Sequence, residues 1–277
     1  MHRTTGTPAL RRWLVGGASV VIAATMVGCG SDDDPSDTAA SATTSSDAEA
    51  DPAEFCEASV DLEVAFTSGG PQLDETAPPE EQQAALEEFG ATLDPLLTRA
   101  EETAPEELSE PVTTSITTIR DALGGGDPAA LEGPEFQEAD DAIDEYMLAE
   151  CGYDQLEVTG VNYEYEGLPD TLPAGTVAVT FTNEGDELHE IGVARINDDV
   201  TLPVEQVLAL PEDQIFSSLQ IAGIAFAAPG ESETTFMRME TGRYGTACFV
   251  SEGTTPDTEG AGPPHFTLGM FAEFTVE

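Results

Sequence analysis

The sequence predicts an α+β multidomain protein, a helical bundle followed by an antiparallel β-sandwich. Three observations carry that prediction. Between residues 53 and 155 apolar side chains recur at three- and four-residue spacing. From residue 156 to residue 277 they alternate with polar ones instead. Ahead of both lies a stretch that contains no large apolar side chain and so cannot contribute to a core.

In the helical region, "PPEEQQAALEEFGATLDPLLTRAEETA" places Leu86, Phe89, Leu93 and Leu97 on one face, flanked by Glu. "EPVTTSITTIRDAL" and "PEFQEADDAIDEYMLAEC" repeat the period, and Pro and Gly clusters punctuate them. Three or four helices in an up-and-down bundle is the economical arrangement. Cys56 lies near the start of the first helix and Cys151 at the end of the last. In a four-helix bundle those points share one end, so a disulfide between them is geometrically reasonable. In an oxidising compartment it would stabilise the fold by roughly 4–5 kcal/mol. A redox-active pair is the alternative, but the chain has no C-x-x-C spacing.

The strand region opens with "LEVTGVNYEYEG" and "GTVAVTFTNEG", rich in Val, Thr, Tyr and Phe. "IGVARIN", "ESETTFMRME", "YGTACFV" and "GMFAEFTVE" continue the alternation, with Gly, Pro and Asp between them. Six or more short strands over this length indicate a sandwich or barrel. One segment reads differently: "LPVEQVLALPEDQIFSSLQIAGIA" has the pattern of helical excursions between strands.

The charge balance is extreme, with 55 Asp and Glu against 8 basic residues and a formal net charge of −47. A surface this negative repels nucleic acid and anionic lipid headgroups, leaving cations or a basic protein as partners. Solubility at high salt is the plainer explanation of the same charge. The first residues behave differently: basic "MHRTTGTPALRRW" precedes apolar "LVGGASVVIAATMVG", then Cys29 and "GSDDDPSD". The apolar run is short for a membrane span and ends in small residues, as secretory signals do. "MVGC" resembles a bacterial lipoprotein signal, which implies residues 1–28 as signal peptide and lipidation at Cys29. An uncleaved anchor is the alternative, and both place the body of the chain outside the cytoplasm, at the cell membrane. Residues 29–52 then read as a disordered acidic tether.

Beyond residue 28 the chain has two histidines, His189 and His265, both in the strand region. If Cys29 carries lipid and Cys56 pairs with Cys151, Cys248 is the remaining thiol. His189 follows "TFTNEGDEL" at a strand end, Cys248 ends the strand "GRYGTACFV", and His265 and Met270 come after it. Two imidazoles, a thiolate and a thioether suit copper cycling between Cu(I) and Cu(II). The "NEG…H" approach, the "G-x-Y-x-x-x-C" strand and the "H-x-x-x-G-M" ending before "FAEFTV" resemble a cupredoxin domain of the plastocyanin and azurin type. The resemblance implies a cupredoxin-like β-sandwich over residues 156–277, preceded by a helical domain at 53–155. It also implies one type 1 copper held by His189, Cys248 and His265, with Met270 as a weak axial ligand.

Three features depart from that pattern. Sixteen residues separate Cys248 from His265, a long acidic loop that could shield the histidine edge. Glu190 stands where the family favours Asn, and a carboxylate buried there has to be paired or protonated. Asp186, Glu187, Glu252, Asp257 and Glu259 crowd the neighbourhood. The resulting expectation is a membrane-tethered mononuclear electron carrier and not an enzyme, because two histidines cannot also furnish a second copper site. His265, if exposed, would pass the electron to a basic redox partner. The alternatives are a copper-delivery protein using Met237 and Met239, which share a strand face, and a metal-free scaffold for protein interaction.

Overall fold

A computed structural model describes residues 52–70 and 77–277. The signal segment, most of the tether and the lipidation position Cys29 lie outside the described residues. Four helices come first: α1 (Pro52–Gly69), α2 (Pro79–Thr103), α3 (Ser109–Leu123) and α4 (Pro134–Glu150). Helices α2 and α4 open with Pro, where the missing N–H costs nothing and the fixed φ suits the first turn. Phe89, Leu93 and Leu97 of α2 are buried as the spacing predicts, against Phe55 of α1 and Val112, Ile116 and Ile119 of α3. Leu86 stays at the margin of that cluster, only partly buried. No helix among the described residues is long and apolar enough to cross a membrane.

Cys56 and Cys151 form a disulfide with Cα atoms 5.6 Å apart, tying the start of α1 to the residue after α4. Three residues later the backbone enters β1 (Asp154–Val161), followed by β2 (Glu164–Glu166), β3 (Thr171–Leu172), β4 (Gly175–Asn183) and β5 (His189–Ile196). After two short helices, α5 (Val204–Leu208) and α6 (Glu212–Ser217), come β6 (Leu219–Ala227), β7 (Ser232–Met239), β8 (Gly242–Ala247) and β9 (Phe271–Val276). They form two facing sheets, ordered β2-β1-β4-β7 and β3-β9-β8-β5-β6. Most pairings are antiparallel, but β1–β4 and β3–β9 run parallel. The 162–174 stretch explains the first of these, since it contributes β2 to one sheet and β3 to the other before β4 re-enters from the same end.

The helical reading of "LPVEQVLALPEDQIFSSLQIAGIA" holds for its first two-thirds. Residues 219–227 instead form β6, whose ladder with β5 satisfies their backbone groups. Tertiary pairing outweighs the local pattern there. Met237 and Met239 are buried between the sheets, so the two thioethers serve as core packing.

The helices also pack on the sandwich. Ala178 and Phe236 of the sandwich belong to the helical core cluster. Glu63 of α1 accepts hydrogen bonds from the Thr235 hydroxyl and the Phe236 amide, and Arg238 pairs with Asp61. Tyr153 donates to the Cys56 carbonyl at 2.8 Å.

Candidate metal centre

Strands β9, β8 and β5 are neighbours, with β8 antiparallel to both others. The end of β8 therefore meets the starts of β5 and β9. That register brings His189 (first residue of β5), Cys248 (just past β8) and Met270 (just before β9) to one edge of the sandwich. Cys248 N–H donates to the Met270 carbonyl, and the Met270 amide donates to the His265 carbonyl. Gly269 has φ +119°, a left-handed conformation that only glycine adopts without strain, and it turns the chain from the His265–Leu268 3-10 helix into β9.

The long loop is closed by its own hydrogen bonds. Glu252 N–H reaches the Pro263 carbonyl, His265 N–H the Val250 carbonyl and Phe266 N–H the Cys248 carbonyl. A hairpin results, with its stem at the site and the acidic tip beyond it. Sixteen residues of sequence thus become a short link in space between Cys248 and His265.

His189, Cys248 and His265 are all buried, and one donor atom from each lies within 4.8 Å of the other two. The Nδ1 atoms of His189 and His265 are 3.0 Å apart, and Cys248 Sγ is 3.4 Å from His265 Nδ1. A trigonal set of donors bonded at about 2 Å has edges of roughly 3.5 Å, so these separations suit a single ion. Met270 is fully buried in the same core cluster as Cys248. The four residues singled out in the sequence therefore share one buried neighbourhood. Among the described residues Cys56 and Cys151 are bonded to each other and Cys248 is in no disulfide.

The surroundings hold the donors in ligating form. The outer nitrogen of His265, Nε2, is 3.0 Å from Glu187 Oε2. With its proton given to that carboxylate, the ring presents the Nδ1 lone pair inward. Partial burial pushes the Glu187 carboxyl up, but hydrogen bonds from Gly253 N–H, His265 and Tyr163 outweigh it and hold it below the usual range. Burial pushes His189 down to about 4 and lowers His265 as well, so both imidazoles are neutral at pH 7. His189 Nε2 is buried with no hydrogen-bond partner, packed so close to Gly185 that a Cβ there would come within 2.5 Å.

Glu190 resolves the question its position raised. It is buried, and its Oε1 accepts from Phe249 N–H at 2.6 Å, while its own N–H points at Cys248 Sγ from 3.4 Å. The carboxylate thus braces the cysteine loop. Asn183 fixes the approach to His189, donating to the Glu187 and Ala227 carbonyls and accepting from Gly185 N–H. The roles of Glu187 and Tyr163 were not readable from the sequence, whereas Asn183 was signalled by the "NEG" motif.

One expectation changes. His265 is fully buried, with the partly exposed Tyr163 packed on its ring at 4.9 Å, so no imidazole edge reaches solvent. The hairpin and the Glu187 contact cover it.

Strand order and donor set together define the second half of the chain as a cupredoxin-like β-sandwich carrying His, Cys, His and Met in that order. No family model matches the chain, and no curated protein does. Among solved structures, it is similar to dithionite-reduced auracyanin from the photosynthetic bacterium Roseiflexus castenholzii, at 26% identity. That match covers 46% of this chain and 99% of the other, with a TM-score of 0.30. Auracyanin A, a "blue" copper protein from the green thermophilic photosynthetic bacterium Chloroflexus aurantiacus, is 19% identical over 46% of this chain and 100% of its own, TM-score 0.29. Reduced rusticyanin is 17% identical over 45% and 80%, TM-score 0.29. Parts of multicopper oxidases also match.

Proposed function

We propose that this chain is an extracytoplasmic type 1 copper protein that carries single electrons. His189, Cys248 and His265 would hold one copper ion, with Met270 as the weak fourth donor. The convergence of two Nδ1 atoms and one thiol sulfur on a single buried point carries the reading. Copper bound there supplies a one-electron couple. The chain's residues do the rest. Three adjacent strand ends and a hydrogen-bonded hairpin hold the donors in place, so little rearranges between oxidation states. Glu187 fixes the His265 tautomer, and Glu190 anchors the backbone after Cys248. Burial of the donors excludes water from the site.

The electron leaves through the protein surface around Tyr163 and the acidic hairpin and not through an exposed imidazole. Acidic residues such as Glu252, Asp257 and Glu259 favour a basic partner, with a transfer rate that falls as salt rises. Enzymatic copper chemistry is disfavoured because both histidines of the described residues are already used. The disulfide supports an oxidising compartment, and the lipoprotein-like signal supports a tether at Cys29.

Loading with Cu(II) should give one copper per chain by elemental analysis and an intense thiolate-to-copper absorption in the visible. Cys248→Ala should abolish that absorption completely. A colourless, copper-free wild-type protein would refute the reading. Copper uptake without the band, retained in Cys248→Ala, would point to delivery in place of electron transfer.

A further inference from the structure

A second polar cluster, largely half-buried, lies between the helices and the sandwich. A cavity of about 260 Å³ runs along the inner faces of α1, α3 and α4 to the edge of β6 and β7. Its walls are largely apolar, with Phe55, Phe66, Ile116 and Ile143 among them. Glu63 of α1, Asp140 and Asp144 of α4 and Glu233 of β7 also line it. Asp140 is exposed, and Glu63, Asp144 and Glu233 are half-buried, as side chains on the wall of an open recess are. Glu233 Oε2 is buried with no hydrogen-bond partner.

Among the described residues no cationic side chain pairs with these acids, although Glu63 accepts hydrogen bonds from Thr235 and Phe236. The sequence after residue 12 has five arginines and no lysine. Each arginine is engaged elsewhere: Arg99 with Glu57 and Asp61, Arg120 with Asp94 and Glu101, Arg195 with Asp198, Arg238 with Asp61, Arg243 with Glu273. Burial raises all four carboxyls, Glu63 to about 7 and Asp140 to about 6, and their mutual repulsion adds to the effect. An apolar chamber whose wall carries several carboxyls without a cationic partner has the chemistry to accept a cation with a hydrocarbon body. A bare metal ion fits less well. Among the described residues the one group of His, Cys, Asp and Glu compact enough to hold an ion is His189–Cys248–His265.

We propose that this cavity is a second ligand site, specific for a small apolar amine. The hydrocarbon part would lie among the bundle's aromatic and aliphatic side chains, and the ammonium among Glu63, Asp140, Asp144 and Glu233. The site is independent of copper. Its volume, just under the range of about 300–1,000 Å³ common for small-molecule pockets, restricts the occupant to a compact molecule.

Calorimetric titration of the full chain with phenethylammonium and, separately, with uncharged phenethyl alcohol tests the charge requirement without any mutation. The ammonium should bind at least about tenfold tighter than the alcohol, and the double variant Asp144→Asn, Glu233→Gln should weaken it by about tenfold or more. Circular dichroism checks that the variant folds. Cys248→Ala should bind the amine like wild type, which separates this site from the copper reading. Equal affinity for the two probes, no binding of either, or an undiminished double variant would overturn the proposal.

Discussion

Two polar clusters lie in this molecule, one fully buried and one half-buried on a cavity wall, and they are built on opposite principles. Around His189, Cys248 and His265 most outer hydrogen bonds are in place: Glu187 accepts from His265 Nε2–H, Glu190 accepts from the Phe249 amide, and Asn183 holds the loop before His189. The inward-facing donor atoms are left to converge, and of the two outer ring nitrogens His189 Nε2 alone has no partner. Around Glu63, Asp140, Asp144 and Glu233 the reverse holds, since hard anions face an apolar cavity and no cationic side chain faces them. A soft, neutral donor set can be buried at small cost if its outer nitrogens are paired. A carboxylate set in such a place must take up protons or a counter-ion. The difference teaches where this protein is rigid and where its stability responds to conditions.

The largest expected effect tests whether the two regions can be separated. The disulfide joins α1 to the end of α4, the two helices that carry three of the four cavity acids, across a sequence separation of 95. The double variant Cys56→Ala, Cys151→Ala should lose about 4–5 kcal/mol of stability on loop-closure grounds. Hydrogen exchange should locate the loss in α1 and α4, with the amides of β5 and β8 nearly unchanged. Equal loosening of β8 would show instead that helices and metal centre form one cooperative unit, coupled through Phe236 and Ala178, which pack into the helical core.

A smaller effect separates the clusters by pH. Glu63 has its folded-state pKa raised from 4.5 to about 7, chiefly by burial, so the folded state binds its proton more tightly than the unfolded chain does. Stability from this group is therefore full below about pH 4.5 and is lost as pH rises through about 7, a change on the order of 3 kcal/mol. Asp140 and Asp144 of α4 and Glu233 of β7 line the same space and act in the same sense, as does Asp141 beside them on α4. Arg238 and Tyr153 are the other charged or titratable neighbours, and Arg238 is paired with Asp61. Urea midpoints measured from about pH 5 to 8 should fall with pH, and Glu63→Gln should flatten that slope. A slope unchanged in Glu63→Gln would assign the effect to general repulsion among the chain's many acids.

The same contrast governs what could be read from the sequence. The helical and strand periods located most elements, because Leu93, Leu97 and the alternating residues of "GTVAVTFTN" bury the faces their spacing dictates. The donor set was legible because its residue types are rare: two histidines beyond residue 28 and one spare cysteine leave few combinations. Residues 219–227 were misread because pairing with β5 decides their state. The burial of His265 was hidden for a related reason, since it depends on hydrogen bonds across a hairpin whose two halves lie ten or more residues apart. The carboxylate cavity was not legible at all. Glu63, Asp140, Asp144 and Glu233 are four acids among 55, and only the packing of α1 and α4 against β7 distinguishes them from the rest.

The smallest effect concerns the metal centre's outer support. Glu187 accepts from His265 Nε2, from Gly253 N–H and from the Tyr163 hydroxyl, so it couples the ring to the loop that covers it. Glu187→Ala leaves the His265 proton free to shift to Nδ1, where it competes with a metal for the same lone pair. Losses of about 10–100-fold in metal affinity are usual when such a partner is removed. Competition titration against a chelator should show that loss for copper in Glu187→Ala. Glu187→Gln keeps an acceptor oxygen and should recover most of the affinity, because the tautomer depends on accepting a hydrogen bond more than on the negative charge. If Gln behaves like Ala, the charge itself matters and the carboxylate acts on the ion electrostatically. The two clusters would then resemble one another more than their geometry suggests, each using an anion to stabilise a cation nearby.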